Sequence, residues 1–210
     1  MKTSIKTLFA ALLTLGLGIT APSFANAKEI QKVTVLSQIN NFSKLNVAGN
    51  VEVILVQSSN QSVQVYDNYY AKNALVQEKN GELRISSFNK ETLTVVVYAS
   101  QLNEINVSDN STVKTAGKFN TLSLVVNLKD EAKASLNTNT VDLFANVNGR
   151  SALNLTGNTN EYNATIGTVA AINMNNFTSE ISNIQSKNVG VAKQQENKNQ
   201  LPENDILTIF

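Results

Sequence analysis

Asp109 and Asp130 lie 21 residues apart at matching positions of a repeating pattern, with Lys129, Glu131, Lys133 and Arg150 around them. Stacked one repeat apart, the two carboxylates could hold a cation. With Arg150 they could form the sparse site of a carbohydrate lyase or hydrolase. The neighbouring basic residues favour a solvated charged turn over either. Tyr66-Asp67-Asn68-Tyr69-Tyr70 is the single aromatic cluster and the candidate binding platform. There a ring would pack on a pyranose while Asp and Asn took its hydroxyls. The competing reading, which suits the run better, is a connection whose rings cover one end of the fold. The remaining acids are scattered, Arg84 and Arg150 are the only arginines, and no nucleophile–base pair emerges.

Composition removes most other chemistry. The 210 residues include no histidine, cysteine or tryptophan, with 17 basic against 16 acidic side chains. There is accordingly no Ser-His-Asp triad, no thiol nucleophile, no Cys/His zinc site and no disulfide. No cofactor is expected. A near-neutral chain also lacks the basic footprint of a nucleic-acid binder. Asparagine, in contrast, occurs 31 times.

Residues 1–27 have the form of a secretory signal. Lys2 and Lys6 precede an apolar stretch from Leu8 to Ile19, and Ala25-Asn26-Ala27 offers an A-x-A cleavage site. The apolar run is too short for a spanning helix of about 20 residues, and no later run is long enough. No cysteine is available for lipid attachment. Cleavage after Ala27 leaves 183 residues with 15 basic and 16 acidic side chains, the size of one domain. The expected address is the periplasm, the cell surface or the medium.

The elements that must position any site read as strands. Val51-Glu52-Val53-Ile54-Leu55-Val56, Val63-Gln64-Val65-Tyr66, Leu83-Arg84-Ile85 and Leu93-Thr94-Val95-Val96-Val97 alternate and are rich in β-branched residues. Gly49-Asn50 and Asn80-Gly81 mark turns. From residue 102 a unit of about 20 residues recurs, centred on Val113, Ala134, Leu153, Ile172 and Val191. Leu102, Leu122, Leu143, Tyr162 and Ile181 act as a second apolar anchor in each unit. Such a repeat predicts stacked coils at about 4.8 Å, that is, a parallel β-helix over 28–193. A leucine-rich repeat competes, but only Leu102, Ile105, Val107 and Asn110 fit its frame. In the stack Asn154 and Asn173 would form an amide ladder, and Glu131 would pair with Arg150. The asparagine excess then serves corners that need left-handed backbone. A carbohydrate-binding role for asparagine rows is the alternative.

Phe42-Ser43-Lys44-Leu45-Asn46-Val47-Ala48-Gly49-Asn50-Val51-Glu52-Val53 resembles the opening strands of the auto-transporter adhesin head, or GIN, domain family. Gly81-Glu82-Leu83-Arg84-Ile85 and Tyr98–Ser108 resemble its following segments, and Asn148–Leu153 its small-residue turns. Asp109, Asp130 and Thr168 stand where that family's turns favour glycine. The resemblance covers about 42–185. It implies a right-handed β-helix and a surface or periplasmic role, and supplies no catalytic residues.

These readings converge on an exported, non-enzymatic domain, an adhesin head or cell-envelope binding scaffold. Its expected partner is a glycan or a cell-surface protein. A carbohydrate-active enzyme and a self-associating structural protein are the alternatives. Residues 194–210 read as a polar linker that ends in the apolar strand Ile206-Leu207-Thr208-Ile209-Phe210.

Overall fold

The computed structural model describes residues 33–36, 39, 41–66 and 74–187. The expected signal, Asp67–Tyr70, Val191 and the 194–210 tail lie outside the described residues. Fourteen strands are formed there: β1 (Val33–Leu36), β2 (Lys44–Gly49), β3 (Val51–Gln57), β4 (Ser62–Tyr66), β5 (Ala74–Lys79), β6 (Glu82–Ser87), β7 (Leu93–Ala99), β8 (Glu104–Val107), β9 (Thr112–Thr115), β10 (Phe119–Asn120) and β11 (Ser123–Leu128), then the long β12 (Lys133–Val147), β13 (Ala152–Ile166) and β14 (Ala171–Ser186). All fourteen belong to one sheet.

The sheet corrects the expected architecture. It is a mixed parallel and antiparallel half-barrel, not a right-handed parallel β-helix solenoid. β4 runs antiparallel to both β1 and β7, and β5 antiparallel to β6. Nor does stacking follow chain order through the first half. β2 pairs with β6 and β8, and β3 with β7 and β9, so 44–57 sits between 82–99 and 104–115. Strand direction is hidden because a period-2 pattern is the same for parallel and antiparallel strands. The turn at Asn80 and Gly81, with positive φ of 56° and 77°, is a two-residue hairpin that reverses β5 into β6.

From residue 104 onward the strands pair in parallel and in register. Val113, Ala134, Leu153 and Ile172 stand opposite one another in successive strands, and the first three are buried. Two of the expected anchors are misplaced. Leu102, Leu143 and Tyr162 are fully buried, but Leu122 is 76% exposed and Leu124 stands opposite Leu143 instead. Ile181 is 63% exposed. A register shift beside Asn154 and Thr156 adds one residue to β14, so Ser182 rather than Ile181 meets Tyr162.

The core is the inward half of each strand. Leu45 and Val47 of β2, Val53 and Leu55 of β3, Val95 and Val97 of β7, and Leu136 and Leu155 of the long strands all belong to it. Residues between them point outward, and this outward face carries the polar rows described next. β14 ends the parallel run, with most of its residues exposed.

Candidate functional site

The chain turns from one strand to the next through residues that accept left-handed backbone. Asp109 and Asp130 have φ of 58° and 62°. Stacking brings them together, with the Glu131 amide donating to the Asp109 carbonyl at 3.0 Å and the Arg150 amide to the Asp130 carbonyl at 2.7 Å. Their carboxylates turn toward the backbone. Asp109 Oδ2 accepts from the Gly49 amide at 2.8 Å, and Asp130 Oδ2 from the Asp109 amide at 3.3 Å. Each aspartate thus caps the preceding corner, where a glycine would leave the amide unserved. Arg150 pairs with Glu131 as the stacking predicts. A shallow, open cleft lies over these residues, with Gly149 and Val169 at its rim.

Tyr66 closes β4, opposite Val33 and Thr94, and its hydroxyl donates to Gln64 Oε1 at 3.2 Å. The rest of that aromatic run falls outside the described residues.

The amide ladder exists, in a different column from the one expected. Asn154 and Asn173 are register partners, but Asn173 Oδ1 takes the backbone amide of Asn175. The ladder instead runs up the outward face through Asn106, Asn127 and Asn146. Asn146 Nδ2 donates to Asn127 Oδ1 at 2.8 Å, and Asn127 Nδ2 to Asn106 Oδ1 at 2.8 Å. Asn106 Nδ2 closes it on Glu104 Oε1 at 3.0 Å. The spacings of 21 and 19 equal those of the core column. An Asn followed by Val or Leu at that spacing was the signal available in the sequence.

Charge gathers at one end of this ladder and is neutralised there. Lys44 Nζ lies 2.9 Å from Glu104 Oε2, and Arg84 lies 2.8 Å from Glu82. The Lys44 hydrogen bond, then that of Asn106, holds the Glu104 carboxyl below its ordinary range. Arg84, then Asn46, does the same to Glu82. An open groove of about 410 Å³ runs beside the ladder, between it and a second row formed by Ser108, Lys129 and Asn148. On the ladder's other side Val125 and Phe144 stand opposite each other in β11 and β12, with Phe144 39% exposed. The outward face therefore offers an apolar pair, Val125 and Phe144, set between Glu104 and Asn163 in one row, beside an amide row and a polar groove.

A family model described as "putative auto-transporter adhesin, head GIN domain" matches residues 41–196, most of the chain. The chain belongs to that family. No curated protein matches this GIN domain in sequence. Among solved structures it resembles an adhesin-class protein of Parabacteroides merdae, with 15% identity and a TM-score of 0.55, over 76% of this chain and 78% of that one. It is similar to another from Parabacteroides distasonis, with 17% identity and a TM-score of 0.54, over 74% and 79%. A third, from the same species and described as a lipid-binding protein, has 11% identity and a TM-score of 0.50, over 76% and 79%. At such identities the likeness is one of fold. Among the described residues of this GIN domain, no helix is long and apolar enough to cross a membrane.

Proposed function

We infer that the chain is an exported, non-catalytic binding head that attaches to a surface ligand through the outward face of β8, β11 and β12. The amide ladder carries this reading. A row of asparagines held in register by one another is a fixed array of donors and acceptors, already ordered before a ligand arrives, so binding loses little side-chain entropy. The family supports the adhesive role, and the apparent signal supports export. The chemistry of the face agrees: carboxylates at its end are paired with cations, and the two corner aspartates serve backbone amides.

The test is attachment without turnover. Purified mature protein should bind saturably to bacterial or host cell surfaces, and Phe144→Glu, which charges the outward face without touching the core, should abolish most of it. Equal attachment by that variant, or turnover of a polysaccharide abolished by a combined Asp109→Ala and Asp130→Ala change, would overturn the reading. Export is checked by the mature N-terminus. Mass spectrometry of secreted or periplasmic protein should find it at Lys28, and an intact chain confined to the cytoplasm would count against export.

A further inference from the structure

Resting on that reading of the same face, we propose that the ligand is a neutral, hydroxyl-rich polysaccharide, lying across the strands along the Asn106–Asn127–Asn146 ladder. The inventory of hydrogen bonds points to hydroxyls. An amide has two N–H donors and an oxygen with two lone pairs. Asn127 spends one donor on Asn106 and one lone pair on Asn146, keeping one of each for a ligand. A hydroxyl both donates and accepts, so it uses both. A carboxylate or phosphate uses only the donors, and a metal ion only the oxygen.

The spacing points to a polymer. Neighbouring strands lie about 4.8 Å apart, so the free amide edges repeat at roughly the length of one sugar in an extended chain. Successive sugars would meet successive asparagines. A pyranose adds to its hydroxyls a face of C–H groups, and the apolar pair Val125 and Phe144 offers a surface for it. Phe144 is partly exposed and precedes Asn146 by two residues on the same side of β12, which places a ring beside the ladder for stacking.

The charge distribution points to neutrality. Glu104 and Glu82 are engaged by Lys44 and Arg84 at the ladder's end. Lys129 is the sole ionisable residue lining the groove. One ammonium cannot match the regular charges of an acidic polymer, whereas it serves a hydroxyl well.

The experiment titrates mature protein with soluble glucan, galactan, mannan and xylan, and with a uronic-acid polymer as the charged arm. Saturable binding to at least one neutral polysaccharide is expected, little changed between low and high salt because no exposed ion pairs form. Phe144→Ala and Asn127→Ala should each weaken it by about tenfold, with unchanged circular dichroism and melting temperature within a few degrees. Binding confined to the uronic polymer, binding erased by salt, or binding indifferent to both substitutions overturns the proposal. If the protein attaches to cell surfaces through this face yet holds no polysaccharide, the glycan assignment fails while the adhesive reading stands. If it attaches to nothing, both fail.

Discussion

Asp109 presents a carboxylate oxygen to the backbone amide of Gly49 at 2.8 Å, across 60 residues of chain. The same aspartate holds a left-handed corner at φ 58° and receives at its own amide the carboxylate of Asp130. Two demands thus meet at one position. The corner needs a residue that tolerates positive φ, and the amide in the adjacent strand needs an acceptor. Glycine meets the first demand and aspartate meets both, which accounts for aspartate at this turn.

Asp109→Gly should therefore keep the turn and lose the cap, at about 1–2 kcal/mol by urea denaturation. Asp109→Ala adds left-handed strain and should cost about 2–3 kcal/mol. Asp109→Asn should stay closest to the wild type. A glycine variant as stable as the parent would show that the carboxylate has no capping role. Because both corner carboxylates already accept backbone donors, calcium should leave the melting temperature unchanged. A rise with calcium concentration would favour a cation site instead.

What the sequence made legible, and what it concealed, follows from which physical signals are directional. The column Val113, Ala134, Leu153, Ile172 was readable because inward positions recur at fixed spacing and only one register buries them all. The Glu131–Arg150 pair followed from the same register. Strand direction was not readable, since alternation is blind to it, and the interposed 44–57 segment has no local signature. Leu122 and Ile181 were misassigned because Leu122 sits in the corner before β11, two residues ahead of the buried Leu124, and a bulge in β14 displaces Ile181 by one. The ladder was sought at Asn154 and Asn173, where the register is right but the amide is taken locally. Asn106, Asn127 and Asn146 had the same spacing, but without strand directions nothing distinguished one outward column from another.

Two glycines with positive φ separate backbone strain from steric contact. At Gly117, φ is 88° and an added Cβ meets nothing within 4 Å. At Gly157, φ is 101° and the Cβ would lie 2.0 Å from the Thr138 carbonyl oxygen in the adjacent strand. Gly117→Ala should cost about 1–2 kcal/mol, the strain alone. Gly157→Ala must also force the strands apart and should cost more than about 3 kcal/mol. Similar losses in the two variants, read from denaturation midpoints, would refute the close approach of β12 and β13 at that point.

Tyr162 is fully buried, its ring set edge-on to Phe177 at a centroid distance of 5.6 Å. Its hydroxyl has no hydrogen-bond partner among the described residues, and burial pushes its pKa from 10.0 up to about 12. Removing an unsatisfied hydroxyl while keeping the ring should stabilise the fold, so Tyr162→Phe is expected to gain about 1–3 kcal/mol. The parent also has an alkaline weakness. Between pH 10 and about 12 an unfolded tyrosine has lost its proton while the folded one keeps it. The unfolded state then binds fewer protons, and stability falls as pH rises through that window. Melting temperature against pH should drop more steeply there for the parent than for Tyr162→Phe. Parallel curves would mean that the hydroxyl reaches solvent.

Glu104 sets the polarity of the ladder, and this gives the outward face an acid-sensitive end. An ionised carboxylate only accepts hydrogen bonds. Glu104 therefore draws the Asn106 amide nitrogen toward itself at 3.0 Å, which turns the Asn106 oxygen toward Asn127 and fixes the direction of each amide above it. Its pKa is lowered, chiefly by Lys44 and next by Asn106. A lowered carboxyl contributes stability that is fully present above its unfolded pKa of about 4.3 and is lost as pH falls through the lower folded value. The side chain is 28% exposed, so screening keeps this contribution to about 1 kcal/mol or less. Glu104→Gln should flatten that acid limb of the stability curve yet leave the ladder intact, because the glutamine oxygen still accepts from Asn106. Glu104→Leu removes the acceptor altogether. In that variant the side-chain amide protons of Asn106 should exchange faster with solvent at neutral pH, with a smaller increase at Asn127 one strand further on. Equal exchange rates in the parent and the leucine variant would show that the ladder holds its direction without the carboxylate.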